Sequence, residues 1–261
     1  MSIQSHRDQN QVILNEFTQQ AALPESCIPG LTNLSGIELL IETSGVTDEE
    51  SVLDVACGAG YVACAFATRA RRVAGIDITP AMIERARQLQ TARGLTNVSC
   101  LRGDVLPLPF QRGSFSMVMT RYSFHHFVDP LAVLRQMALV CRRGGRVVVT
   151  DAAPSAEKQE AYNRMEKLRD PSHVRALTSS ELLGLHAAAG LRVLRTVPYR
   201  LDMELESLLS ASFPNAGDAE RLRQSFEESL VTDGLDLGTH RRGNEVYWGY
   251  PSLIIVSEHA D

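Results

Sequence analysis

Long apolar runs are missing: nothing in the chain approaches the roughly 20 consecutive apolar residues that a membrane-spanning helix needs. The amino terminus, MSIQSHRDQNQVILNEF, has no apolar core of the signal-peptide kind. No membrane insertion is expected, and the cytoplasm is the expected location. Cysteine is scarce and scattered. Cys27, Cys57, Cys64, Cys100 and Cys141 are odd in number and form no CxxC pair, which argues against a disulfide framework and against zinc. Reduced, mostly buried thiols and no metal site are expected. Excess positive charge is absent too. The formal net charge is −5 at pH 7, so nothing electrostatic favours a nucleic-acid partner. The short basic clusters at Arg69, Arg71 and Arg72 and at Arg241 and Arg242 read as solvated faces. A hydrophobic fraction of 44% against a charged fraction of 22% excludes disorder. These exclusions leave a chain of 261 residues, enough for one buried core with appendages, whose partner is a small molecule and which is compatible with a homodimer.

From Ser51 to about Asp151 short β-rich runs alternate with helical patterns, the signature of a parallel sheet with crossover helices. The expected strands are Ser51 to Ala56, Arg72 to Asp77, Asn97 to Arg102, Phe115 to Thr120 and Arg146 to Asp151. Their Val, Ile and Leu content suits strands buried on both faces. Helices are expected after Gly60, from Pro80 to about Arg93 and from Pro130 to Cys141. Thr79 as N-cap, Pro80 in the first turn and Gly94 just past the end delimit the second of these. Residues 1 to about 45 read as helices broken by Pro24, Pro29 and Gly30, and residues 46–261 as the main domain, with insertions at about 155–180 and 203–246. LRVLRTV and SLIIVSE supply two more strands.

The stretch from Val52 to Gly60, VLDVACGAG, is a buried strand running into a glycine turn and a helix. Glycines there permit positive φ and let a ligand approach the backbone. Ala63 stands where a dinucleotide fingerprint has its third glycine, so a GxGxxG/A reading stays formally open. Three carboxylates add context. Asp54 lies inside the strand and can orient the loop or meet a cationic amino-acid ligand through water. Asp77 ends the next strand, where it can accept both hydroxyls of an adenosine ribose, and Asp104 follows the third, where it can accept from an adenine amine. Each also has a plain structural reading, as turn cap, helix N-terminal charge and turn aspartate; together they fit a ligand across the crevice of an open sheet.

DVACGAG, GIDITPAMI, GDVLPLPF, FSMVMTRYSFHHFVDP and RRGGRVVVTD, in this order and spacing, resemble class I S-adenosylmethionine-dependent methyltransferases, and within them the ubiquinone/menaquinone C-methyltransferase-like (methyltransferase type 11) group. The resemblance spans roughly residues 50 to 152. It implies an α/β fold with a Rossmann-like seven-stranded sheet, mostly parallel with an antiparallel last strand, flanked by helices and carrying helical lid elements. It implies S-adenosylmethionine as cofactor, with Asp54, Ala56, Gly58 and Gly60 at the methionine part and Asp77 at the ribose. Ile78 would pack on adenine, Asp104 and Val105 would edge it, and Arg121 and Tyr122 would line the pocket. The amino-terminal helices and the insertions would form a mobile lid over the crevice.

Transfer from a sulfonium is a direct displacement that asks for alignment and exclusion of water. For a phenol, enol, ring nitrogen or activated carbon, one general base suffices. His125, His126 and His173 are the candidates, because neutral imidazole accepts protons near physiological pH. Adjacent residues point in different directions, so one of the first two is expected to face the site. His173 lies in the polar segment from Asn163 to Arg175; with Arg169 and Arg175 it can bind an acidic or phenolic substrate, or the segment is a solvated connection. Phe17, Tyr162, Tyr199, Phe213, Tyr247 and Trp248 can wall the substrate pocket or serve as core. The alternatives are a repurposed fold that binds without methyl transfer and an NAD-dependent dehydrogenase.

Overall fold

The structure is a computed structural model and describes residues 3–24 and 34–259; Cys27, Pro29 and Gly30 lie outside them. Two helices open the chain, α1 (Ile3–Ala21) and α2 (Leu34–Ser44). The alternating core follows: β1 (Ser51–Val55), α3 (Tyr61–Ala67), β2 (Arg72–Asp77), α4 (Pro80–Ala92), β3 (Val98–Arg102), β4 (Phe115–Arg121), α5 (Pro130–Val140) and β5 (Cys141–Ala152). The last part holds α6 (Gln159–Arg169), α7 (Ser179–Ala188), β6 (Leu191–Glu204), α8 (Leu205–Ser210), α9 (Asp218–Thr232), β7 (His240–Arg242) and β8 (Glu245–His259).

The strands form one sheet in the order β3-β2-β1-β4-β5-β8-β6, with β7 paired to β8. Neighbours from β3 to β5 run parallel, and β8 is antiparallel to both β5 and β6. This is the expected seven-stranded arrangement plus one short strand, β7, contributed by the insertion before β8. Both faces of the central strands are buried, as their unbroken apolar runs require. Val52, Met117, Met119, Val148 and Val256 pack with α2, α3 and α4 on one side, while Leu53, Val55, Val118, Val149 and Ile255 pack with α5 and α7 on the other. Asp129 caps α5 by accepting from the Ala132 N–H at 2.9 Å; Thr79 occupies the N-cap of α4, but its side chain makes no capping bond. Cys57, Cys64, Cys100 and Cys141 are free and buried.

The last two long strands outrun the sequence expectation. Beyond the end of β5, β6 and β8 continue as a two-stranded ribbon, from Arg200↔Pro251 to Glu204↔Tyr247. A third apolar cluster is built on this ribbon from Leu201, Met203, Leu208, Phe226 and Trp248, and Tyr162 and Met165 of α6 join it. The insertions thereby gain a core of their own above the carboxyl edge of the sheet. That edge is where ligands of open α/β sheets sit. Among the described residues no helix is long and apolar enough to cross a membrane.

Candidate active site

At the carboxyl end of β1 the chain turns through Ala56, Gly58 and Gly60, all at positive φ (56°, 51° and 80°). Asp77, at the end of the neighbouring β2, fixes this turn: one carboxylate oxygen accepts from the Gly58 N–H at 2.9 Å and the other from the Thr79 N–H at 2.8 Å. A cavity opens beside the turn, and every residue expected at the cofactor lines it except Gly60. Gly60 has a packing role instead. A Cβ there would lie 2.8 Å from the Ala86 Cβ, so its absence lets the start of α3 lie against α4.

Two ionisable groups reach this cavity with side-chain atoms left unmatched, although Asp54 takes a backbone hydrogen bond from Ala63 and Arg121 lies 4.7 Å over the Tyr122 ring. Asp54 is 2% exposed and its Oδ2 has no hydrogen bond, while Arg121 is 9% exposed with Nε and Nη2 equally unmatched. Burial, followed by Cys100 and Asp77, raises the Asp54 pKa well above the usual carboxylate range. Unmatched donors on a buried guanidinium and an unmatched oxygen on a buried carboxyl are costly at one cavity. They suit a zwitterion, and the ammonium and carboxylate of a methionyl group are one.

Helix α1 lies across the mouth of the cavity. His6 Nε2 approaches Asp104 at 3.1 Å and Asn10 donates to the same carboxylate at 2.8 Å. Gln9 donates to the carbonyls of His126 (3.1 Å) and Ser172 (2.7 Å), and Phe17 meets the His126 ring edge-on at 5.2 Å. Asn10, Ile13 and Phe17 thus join the lining. Of these three, Phe17 is a candidate pocket wall on the sequence alone, and Asn10 and Ile13 are not.

A second cavity adjoins the first and shares Phe17, Tyr122 and His126 with it. Their volumes are ≈ 120 and ≈ 130 Å³, each many times the roughly 10–15 Å³ that one water occupies by the same measure. Tyr122 stands between them at a positive φ of 52°, a conformation that costs a non-glycine residue about 1–3 kcal/mol. It is held there by its N–H to the Thr150 carbonyl (2.7 Å) and by hydroxyl contacts to Tyr199 (2.9 Å) and Ser252 (2.7 Å).

The histidines separate in role. His125 lines the second cavity, and its Nδ1 lies 2.7 Å from Asp151 Oδ1. Asp151 also accepts from the backbone N–H groups of Phe124 and Ala152, both at 2.7 Å. With Asp151 accepting from all three donors, Nδ1 carries the proton and Nε2 is left as the basic nitrogen. Burial lowers the His125 pKa, but Asp151, with Glu166 and Asp170, more than offsets it, and the net shift is upward. His126 lines both cavities; burial and then the neighbouring His125 push its pKa down to about 4, and its Nδ1 faces the Ser172 carbonyl at 3.2 Å. His173 lines neither cavity. It stacks behind His125 with ring centroids 5.4 Å apart, bonds Asn163 through Nε2 at 2.7 Å, and is driven down to about 2 chiefly by burial.

The expected substrate cations are committed elsewhere. Arg169 does line the second cavity, but Glu166 takes its Nε and Nη2 (3.0 and 2.7 Å), Asp170 lies 3.7 Å away and Ser212 faces Nη1 at 3.4 Å. Arg175 is half exposed and paired with Glu181, outside the cavity. Of the expected aromatic wall, Phe17 and Tyr162 line the cavity. Tyr199 supports Tyr122, Trp248 is buried in the ribbon's core, Tyr247 lies under Arg242, and Phe213 borders a neighbouring cleft. Asp151, Glu166, Asp170 and Tyr250 were not anticipated. Asp151 obeys the rule that pointed to Asp77, a carboxylate ending a sheet strand, and was recognisable on that ground.

Comparison with known proteins identifies the family. A family profile described as methyltransferase domain matches residues 46–191, more than half of the chain. An uncharacterized methyltransferase, YcgJ of Bacillus subtilis (strain 168), is 33% identical over 171 residues, covering 65% of this chain and 68% of that protein. Its crystal structure superposes with a TM-score of 0.80 at 25% identity, covering 87% of this chain and 99% of that one. Aklanonic acid methyltransferase DauC of Streptomyces sp. (strain C5) is 38% identical over 116 residues, 42% of this chain and 52% of that protein. The chain belongs to the class I S-adenosylmethionine-dependent methyltransferases.

Proposed function

We propose that the chain transfers a methyl group to a small molecule held in the second cavity, with His125 as general base and Asp151 as the residue that orients and charges it. The carrying observation is the 2.7 Å His125–Asp151 contact at the wall of a cavity that shares three residues with the cofactor cavity. Bound S-adenosylmethionine supplies an electrophilic methyl on a sulfonium. Arg121 and Asp54 would hold the carboxylate and ammonium of its methionyl part, Asp77 the ribose, and Asp104 and Ile78 the adenine. Tyr122, rigid at its strained φ, separates the two chambers and sets the line of approach. Helix α1, with the insertions, acts as the lid that excludes water. His125 Nε2 takes the acceptor's proton as the new bond forms, and Asp151 stabilises the resulting imidazolium. The relatives named above are methyltransferases, which favours methyl transfer over a nicotinamide enzyme or a repurposed fold.

Calorimetric titration with S-adenosylhomocysteine, followed by labelled methyl transfer to a panel of phenols and enols, tests the reading. Micromolar cofactor-product binding and a transfer rate that collapses in His125→Asn are expected. Transfer at the wild-type rate in that variant would remove His125 from the mechanism.

A further inference from the structure

The second cavity combines an apolar wall with an unusual polar end. Phe17, Leu201, Met203, Leu208 and Ala211 supply the wall, and Glu166, Arg169 and Asp170 of one helix end supply the charge. Two carboxylates face one guanidinium there. All three side chains are largely buried, at 3%, 13% and 10% exposure for Glu166, Arg169 and Asp170. Glu166 occupies two guanidinium nitrogens of Arg169, Ser212 lies at a third, and the spare Glu166 oxygen accepts from the Tyr250 hydroxyl at 3.0 Å. Asp170 is held by Ser172 through both its N–H (2.8 Å) and its hydroxyl (2.6 Å). No cation is left free at this end for an incoming anion. The nearby cation with unmatched donors, Arg121, opens on the cofactor cavity instead.

The base points the same way. A carboxylate acceptor arrives already deprotonated and needs an unpaired cation, whereas a phenol or enol arrives neutral and needs a base. The cavity offers a base and withholds the cation. From this we infer that the acceptor is a neutral, largely apolar molecule carrying an ionisable hydroxyl, and that Glu166, by sequestering Arg169, is a specificity-determining residue that rejects carboxylates. The inference rests on the second cavity being the acceptor chamber. In the reaction the acceptor O–H yields its proton to His125 Nε2, the oxygen pair forms the C–O bond, and the methyl–sulfur bond breaks with its electron pair left on sulfur. Charge is conserved: the positive charge leaves sulfur and reappears on the imidazolium, where Asp151, Glu166 and Asp170 receive it.

Two probes of one skeleton test the selection, 2-naphthol and 2-naphthoate, titrated into the protein saturated with S-adenosylhomocysteine near neutral pH. The naphthol is expected to bind at least about tenfold more tightly, the order set by one unbalanced buried charge at ordinary protein dielectric. In Glu166→Gln, which frees Arg169 while keeping the side chain's shape, that preference is expected to shrink at least about fivefold through tighter naphthoate binding. Equal or tighter binding of naphthoate to the wild type, failure of 2-naphthol to bind, or an unchanged preference in the folded variant would each overturn the inference. The wild-type comparison decides even if the variant does not fold. Binding of S-adenosylhomocysteine, measured first, reports separately on the methyltransferase reading.

Discussion

Replacing Asp151 by Asn isolates the charge behind the proposed base with little change of shape. Asp151 accepts three hydrogen bonds, from the Phe124 and Ala152 N–H groups and from the His125 ring. An amide has one accepting oxygen, so at least one buried N–H meets an NH2 group. Leaving a buried donor unmatched costs about 1–3 kcal/mol, a loss of stability that a domain of this size survives. The kinetic effect is larger. Loss of a general base that the enzyme positions and charges removes roughly 10²–10⁴ in rate, and an Asn that turns its NH2 to Nδ1 imposes the wrong tautomer and gives the upper end. The pH profile supplies the sharper readout. His125 is held above its ordinary pKa by Asp151 once burial is overcome, so in the wild type the base is lost on acidification at a pH above that of an ordinary histidine. Without the Asp151 charge, burial dominates and the acid limb of kcat moves to lower pH. Steady-state methylation of 2-naphthol across pH, with circular dichroism as the check on folding, measures both. A folded variant whose plateau rate and acid limb match the wild type would refute the assignment.

Arg121→Met is expected to weaken S-adenosylhomocysteine binding by about 10–100-fold, the value of a charge-assisted contact, while leaving methylthioadenosine, which lacks the amino-acid moiety, nearly unaffected; calorimetry on both ligands separates a carboxylate contact from general damage. Gly60→Val is expected to lower stability by about 1–3 kcal/mol, because it puts a β-branched residue at φ 80° and a Cβ 2.8 Å from Ala86; an unchanged urea midpoint would contradict the packing role. Trp248→Ala, at the buried centre of the ribbon's core, is expected to cost about 3–5 kcal/mol, read by urea unfolding. Acid stability follows from His126 and His186, both depressed to about 4, His126 by burial and then His125, and His186 by burial alone. Each stays neutral in the fold below the pH at which the unfolded chain protonates it near 6.5, so the unfolded state binds more protons in that window and stability falls as pH drops from about 6.5 to about 4. His186→Gln is expected to flatten that fall in urea midpoints measured across the window, and an unaltered slope would count against it.

The two halves of the site were unequally legible for a physical reason. The cofactor half is written locally. Asp54 stands just inside the end of a strand, and Asp77, Asp104 and Arg121 at or just past the ends of others; the apolar runs of these strands are visible in the sequence, and the sheet order brings the ends together. The acceptor half is assembled at long range, from His125 in a turn after β4, Asp151 at the end of β5, Glu166 and Arg169 on α6, Tyr250 on β8 and Phe17 on α1. No spacing announces such a convergence, which is why His173 stands beside His125 as a candidate in the sequence although the structure sets it one ring farther back. Arg169 is a different case. Glu166 precedes it by three residues on the same helix, where side chains are neighbours, so the pairing that removes Arg169 as an anion site was present in the sequence. The pairing rule governs exposed helix faces at only a few tenths of a kcal/mol. What the sequence could not convey is that this pair is buried against an apolar ribbon, where the same contact decides which charges the cavity admits. Burial turns a minor helix-surface contact into a specificity element, and burial is set by β6 and β8 running on past the end of β5.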